Sequence, residues 1–182
     1  MAGDGRDPVT QGIAAELPRL WRYGLVLSSN RDTAEELVQA TCVRALERAH
    51  QFEPGTRLDR WLFSILHSIW LNELRARKVR LGQGLVDADA VLVFDGLKYT
   101  ETNIWVGQVL REVQQLPEAQ RETVYLVYVE GMTYREAAEL LDVPIGTVMS
   151  RLAAARAKLA GLNAEPAGGK AEGRGTHGRS GG

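Results

Sequence analysis

The chain has 182 residues, 45% of them hydrophobic, and a formal net charge of −1, which bounds it to one or two small domains with a buried core. No apolar run approaches the roughly 18 residues of a membrane span, and a single cysteine, Cys42, excludes an internal disulfide. With only three histidines there is no zinc-ligand spacing, so neither a metal nor another cofactor is expected.

The opening MAGDGRDPVTQG is polar and carries no apolar signal segment, which predicts a cytoplasmic protein. Residues 1–12 read as a disordered N-terminus. From about Ile13 to Leu27 a helical pattern runs through Leu17, Leu20, Trp21 and Gly24, with a turn restarting at Pro18. Ser28, Ser29 and Asn30 end it. Asp32, with Glu35 three residues on, is the expected cap of the next helix. There Ala34, Leu37, Val38, Thr41, Ala45 and Ala49 form a buried stripe, and Cys42 is most simply a small packed residue. The opposite side shows Glu36, Gln39, Ala40, Val43 and Glu47, and an exposed valine among polar residues points to a partner.

Pro54-Gly55 marks a turn. The following helix, from about Thr56 to Arg80, turns Leu58, Leu62, Ile65, Leu66 and Ile69 to the core. Ser64, His67, Ser68, Leu71, Arg75 and Lys78 lie on the far side, with Phe63 and Trp70 on the shoulder. A basic helix end with aromatics can track a strand and stack unpaired bases; equally, Trp61 and Trp70 can be core and the cations merely solvated. Charge is segregated. Residues 57–80 carry Arg57, Arg60, Arg75, Arg77, Lys78 and Arg80 against Asp59 and Glu73, whereas residues 81–103 carry Asp87, Asp89, Asp95 and Glu101 against Lys98. The second stretch lacks a sustained period and reads as an acidic, flexible linker.

A helix from about Ile104 to Leu116 follows, and Pro117 opens another that ends at Gly131. Then comes GMTYREAAELLDVPIGTVMSRLAAARAKL. Thr133 and Glu136 make a capping box, and Asp142-Val143-Pro144 break the short helix. On the second helix, Val148, Leu152, Ala155 and Leu159 share one face. Gly146, Ser150, Ala153 and Ala157 point away, with Met149 and Ala154 beside them, Arg156 on one flank, and Arg151 and Lys158 on the other. A ridge of small residues between cations suits a helix in a DNA major groove, where the ridge meets base edges and the flanks reach phosphates. An ordinary helical hairpin would show the same core face. The tail, 163–182, is Gly-rich and expected to be disordered.

DTAEELVQATCVRALERAHQFEPGTRLDRWLFSILHSIWLNELRARK resembles region 2 of bacterial extracytoplasmic-function sigma factors, and LPEAQRETVYLVYVEGMTYREAAELLDVPIGTVMSRLAAARAKL resembles their region 4. A weaker likeness to the general-stress branch runs through LSSNRDTAEELVQATCVRAL and WLFSILHS. The resemblance implies an all-α chain of two small helical domains, region 2 at 13–80 and region 4 with its helix-turn-helix at 104–162, joined by the linker at 81–103. It implies a non-enzymatic subunit of RNA polymerase that recognises the −10 and −35 promoter elements.

By the same resemblance, Glu36, Gln39, Ala40 and Val43 dock on the β′ clamp helices of core polymerase, with further contact to the β subunit. The loop at Pro54, Gly55, Thr56 and Arg57 captures a flipped base of the −10 element, and His67, Ser68, Asn72 and Arg75 complete the pocket and contact the strand. Met149, Ser150, Ala153 and Ala154 read the −35 element, with Arg151, Arg156 and Lys158 on phosphates. An anti-sigma factor is implied as the controlling partner, and the free protein is expected to be a monomer without membrane contact. Ser68, Asn72, Ala40, Met149 and Ala154 depart from frequent family residues, which bears on promoter preference. A stand-alone helix-turn-helix regulator is the alternative; it would bind duplex DNA unaided.

Overall fold

The computed structural model describes residues 7–80 and 112–160, and within them every regular element is helical. The expected linker, most of the 104–116 helix and the Gly-rich tail lie outside the described residues. Residues 112–114 are helical.

The first helix, α1, spans Pro8–Ser28 and begins five residues before the expected start. The Asp7-Pro8 pair explains this. The Asp7 carboxylate accepts from Val9 N at 3.1 Å and Thr10 N at 3.2 Å, and proline at the first helical position costs no hydrogen bond. Residues 8–12 are therefore helical rather than disordered, and α1 runs unbroken through an exposed Pro18. It stops where Ser29 turns left-handed, φ 52°, and returns its N–H to Leu25 O at 2.9 Å.

Helix α2, Arg31–Glu47, is capped by Asn30 and not by Asp32: Asn30 is extended, and its Oδ1 accepts from Thr33 N at 2.9 Å. Asp32 falls inside the first turn, where its charge still suits the helix dipole. The two helices meet closely at Gly24, where a Cβ would lie 3.2 Å from Ala34. Thr41, buried on that face, donates to Leu37 O at 2.7 Å.

After a short 3-10 turn at Ala49–Gln51, Phe52 packs against Trp61 with ring centroids 5.4 Å apart. Helix α3, Leu58–Arg80, then buries Leu62, Phe63, Ile65, Leu66 and Trp70. Phe63 and Trp70 are thus core rather than shoulder. Phe63 stacks on Tyr23 at 4.8 Å.

In the C-terminal half, Pro117 caps α4, Glu118–Val124, which widens into a π turn at Tyr125–Val129. Gly131, at φ 65°, reverses the chain, and Met132 N donates to Leu126 O at 3.0 Å. The capping box forms as expected: Glu136 N donates to Thr133 Oγ1 at 3.2 Å and Thr133 N to Glu136 Oε2 at 2.7 Å. Helix α5, Tyr134–Leu141, ends at left-handed Asp142, and α6, Ile145–Ala160, lays Val148, Leu152 and Ala155 inward.

The two halves share one apolar core. Tyr23 of α1 stacks on Tyr125 at 5.8 Å, 10° from parallel, and Arg121 donates to the Val26 carbonyl at 2.8 Å. Nothing in the periodicity of either half announces this docking.

Candidate nucleic-acid and partner surfaces

On α6 the residues expected to read DNA divide. Met149, Ser150, Ala153, Ala154, Arg156 and Lys158 are exposed, Met149 to 52%. Ser150 Oγ donates to Thr147 O at 3.0 Å and Arg156 Nε to Leu152 O at 3.3 Å, so both side chains are anchored on their own helix. Ile145, 48% exposed one turn before Met149, extends the ridge. The sequence reading does not count it with the outward ridge; its spacing of four from Met149 is the signal that places it there. Arg151 stands apart, half-buried and close enough to α3 for its charge to act on His67.

The loop residues Pro54, Gly55, Thr56 and Arg57 are exposed, with Gly55 at φ 91°. Thr56 Oγ1 ties back to Glu53 O at 2.7 Å, and Arg57 Nη2 binds Asp59 at 2.7 Å. Burial opposes ionisation of Asp59, but hydrogen bonds from Arg57, the Arg60 backbone and Arg19 outweigh it and hold its pKa at about 2. Along α3, Ser68, Asn72 and Arg75 form an exposed row, with Arg75 Nη1 donating to Asn72 Oδ1 at 2.9 Å.

His67 is not in that row. It is buried, and its Nε2 lies 3.4 Å from Glu122 Oε1. Burial, then the charge of Arg151, depress its pKa to about 4, with Asp142 acting in the opposite sense. In this arrangement nucleic acid cannot reach it.

On α2, Glu36, Gln39, Ala40 and Val43 are exposed in one stripe, with Val43 57% exposed. Leu46, three residues further and 47% exposed, continues it; its spacing from Val43 is the sequence signal that would have found it. Among the described residues no helix is long and apolar enough to cross a membrane, and no group of three or more His, Cys, Asp or Glu could hold a metal ion.

The family model for sigma-70 region 2 matches residues 13–80, and that for sigma-70 region 4 matches residues 107–159. An ECF RNA polymerase sigma factor, EcfG of Rhodopseudomonas palustris, is 31% identical over 156 residues, covering 86% of this chain and 85% of the relative. The sigma factor RpoE of Bartonella quintana, solved in complex with the anti-sigma factor NepR, is 30% identical with a TM-score of 0.71, covering 86% of this chain and 97% of that one. The PhyRSL–NepR complex of a Sphingomonas species shares the fold at 22% identity and a TM-score of 0.59, covering 94% of this chain and 98% of that one.

Proposed function

Since the chain belongs to the extracytoplasmic-function branch of sigma-70 factors, we propose how its surfaces divide the work of a factor that binds core RNA polymerase and directs promoter-specific initiation. The exposed α2 stripe of Glu36, Gln39, Ala40 and Val43, extended by Leu46, docks on the β′ clamp helices. The Pro54–Arg57 loop with Ser68, Asn72 and Arg75 takes the −10 element, where a pocket for an extruded base offsets part of the unstacking cost. His67 joins this surface when the halves separate. The α6 ridge reads the −35 element, and Arg156, Lys158 and a released Arg151 contact phosphates.

The observation that carries this division is α6 itself. Val148, Leu152 and Ala155 are buried while small uncharged residues line the outward ridge, the shape a major groove admits. Neither half offers many base contacts, so affinity comes from holding both on one polymerase at fixed spacing. The factor is a regulatory DNA-binding subunit that acts in the cytoplasm, as a monomer when free, and without a catalytic step of its own. The Bartonella relative is bound to NepR, and that likeness supports control of this chain by an anti-sigma factor.

Gel filtration with core polymerase tests the assignment. The chain should co-elute, and a Glu36→Ala, Gln39→Ala variant should not. Tight binding to duplex DNA alone, without co-elution, would leave the stand-alone regulator as the better account.

A further inference from the structure

Arg57 ends the −10 loop with both its backbone and its side chain held. Its carbonyl accepts from Trp61 N at 3.2 Å, which places it at the cap position of α3 and fixes the backbone from which the side chain springs. The guanidinium is gripped along one edge: Nε donates to Asp59 Oδ1 at 3.2 Å and Nη2 to Asp59 Oδ2 at 2.7 Å. A planar fork held on Nε and Nη2 keeps its far end, Nη1 with the second Nη2 hydrogen, for another acceptor. The side chain is 60% exposed, which leaves that end accessible. We propose that Arg57 reads an unpaired base of the −10 element through paired acceptors, guanine first, and that Asp59 and Arg19 are positioning residues for that contact. This rests on the sigma-factor assignment and gives the −10 loop a base preference.

Asp59 is suited to the task by what stands behind it. It is buried, and it lies in the first turn of α3, where the helix dipole favours a carboxylate. Arg19 of α1 donates from Nη2 to Asp59 Oδ2 at 3.1 Å, and the Arg60 backbone N–H binds it as well. Arg19 is itself fixed by Glu16, at 2.7 Å on Nη1, and its guanidinium lies 5.6 Å from the centre of the Phe63 ring. Arg19 also binds Glu130 Oε2 at 2.6 Å, but its bonds to Asp59 and Glu16 lie within residues 7–80, so the grip on Asp59 is complete in the N-terminal half. Helix α1 backs the start of α3 a second time at Gly12, where a Cβ would run into Leu58 Cδ2.

The pairing selects a base rather than a phosphate. Sharing its charge with Asp59 weakens Arg57 as a point charge, while a fixed guanidinium plane favours two parallel hydrogen bonds to acceptors lying in that plane. Guanine presents such a pair in O6 and N7, and it is the base that arginine most often contacts with two bonds. A free arginine must surrender side-chain entropy to reach that geometry, whereas Asp59 has already fixed the rotamer. Thr56 does the same for the loop, with its N at 3.1 Å and its Oγ1 at 2.7 Å from Glu53 O.

The test uses the full chain reconstituted with core polymerase and a fork-junction DNA pool, single-stranded and randomised across the −10 positions, with the bound fraction sequenced. The parent should enrich guanine at one position. Arg57→Ala should lower that enrichment about tenfold and leave the other positions unchanged. Arg57→Lys, which keeps the charge without the fork, should not restore it. Asp59→Asn should lower enrichment at the same position, and the double variant should be no worse than Arg57→Ala, because Asp59 acts through Arg57. A merely structural role for Asp59 would add to the loss and spread it over every position. Circular dichroism reports folding; should Asp59→Asn unfold, Arg19→Gln, which only loosens the grip on Asp59, replaces it in the cycle. No guanine enrichment in the parent, enrichment unchanged in Arg57→Ala, an equal loss across all sequences, or a gain on Asp59→Asn each overturns the guanine contact. Co-elution with core polymerase separates the two assignments. A parent that co-elutes and gives any of those results loses the guanine contact alone, and one that does not co-elute loses the sigma-factor assignment with it.

Discussion

Tyr23 and Glu122 stand 99 residues apart in sequence, and the tyrosine hydroxyl donates to the carboxylate at 2.5 Å in the buried seam between the halves. The tyrosine ring lies between Phe63 and Tyr125, stacked on both, so packing fixes the ring and the hydrogen bond fixes its edge. Burial raises the Tyr23 pKa well above its usual value, and the neighbouring Glu122 charge adds to the effect. The phenol stays a donor at any physiological pH.

Tyr23→Phe should keep the stack and remove the donor. Leaving a buried carboxylate without that partner costs about 1–3 kcal/mol. Urea unfolding should show the loss. A Tyr23→Phe chain as stable as its parent would place the carboxylate elsewhere.

The pH response follows from two groups that titrate in opposite senses. Burial lifts Glu122 to about 7, against the lowering effect of the Tyr23 hydrogen bond, from an ordinary 4.5. The folded state therefore binds an extra proton between those values, and raising pH through 7 lowers stability. Burial, aided by Arg151, depresses His67 from 6.5 to about 4, so the folded state gives up a proton between those values and acidification through that window lowers stability. From about pH 6.5 to 8, Glu122 alone lowers the folding constant about fourfold and His67 raises it about twofold, a net fall of about twofold. Glu122→Gln should reverse the sign, with the fold slightly more stable at the higher pH. Urea unfolding measured across that range checks both directions.

Much of this was legible in the chain. The Thr133–Glu136 box, the inward Val148, Leu152 and Ala155, and the exposed Val43 all follow from local spacing, because each depends on residues within two helical turns. The ends were less so: Asp7-Pro8 starts α1 and Asn30 caps α2 because of backbone geometry that residue type only suggests. His67 is misplaced by the sequence, and Trp70 left open between shoulder and core, for a different reason. Helix α3 is buried on two sides, one toward α1 and α2 and one toward the C-terminal half. Trp70 owes its burial in part to Glu118, 48 residues away, and a single amphipathic stripe cannot encode a second face supplied from so far along the chain.

Val43 and Leu46 make the polymerase contact testable by charge. Both are exposed and neither contributes to the core, so Val43→Glu and Leu46→Glu should leave stability within about 0.5 kcal/mol. Each desolvated carboxylate at the docked interface should still weaken co-elution with core polymerase by tenfold or more. Equal stability with undiminished co-elution would move the docking site off α2.

Arg156 and Met149 separate phosphate contact from base readout on α6. Arg156 is fixed to its own helix through Nε on Leu152 O, which leaves its terminal nitrogens to reach an adjacent phosphate. Arg156→Ala should weaken polymerase-dependent promoter binding about equally across −35 sequences and reduce the salt slope by about 1. Met149 carries no charge and projects from the ridge, so Met149→Ala should change the ranking of −35 sequences with the salt slope intact. Filter binding of the reconstituted holoenzyme across a salt series, on promoters varied only at the −35 element, measures both. A changed sequence ranking in Arg156→Ala with an unchanged slope would reassign that arginine to the base edges, and the ridge would then be read from its flank rather than its crest.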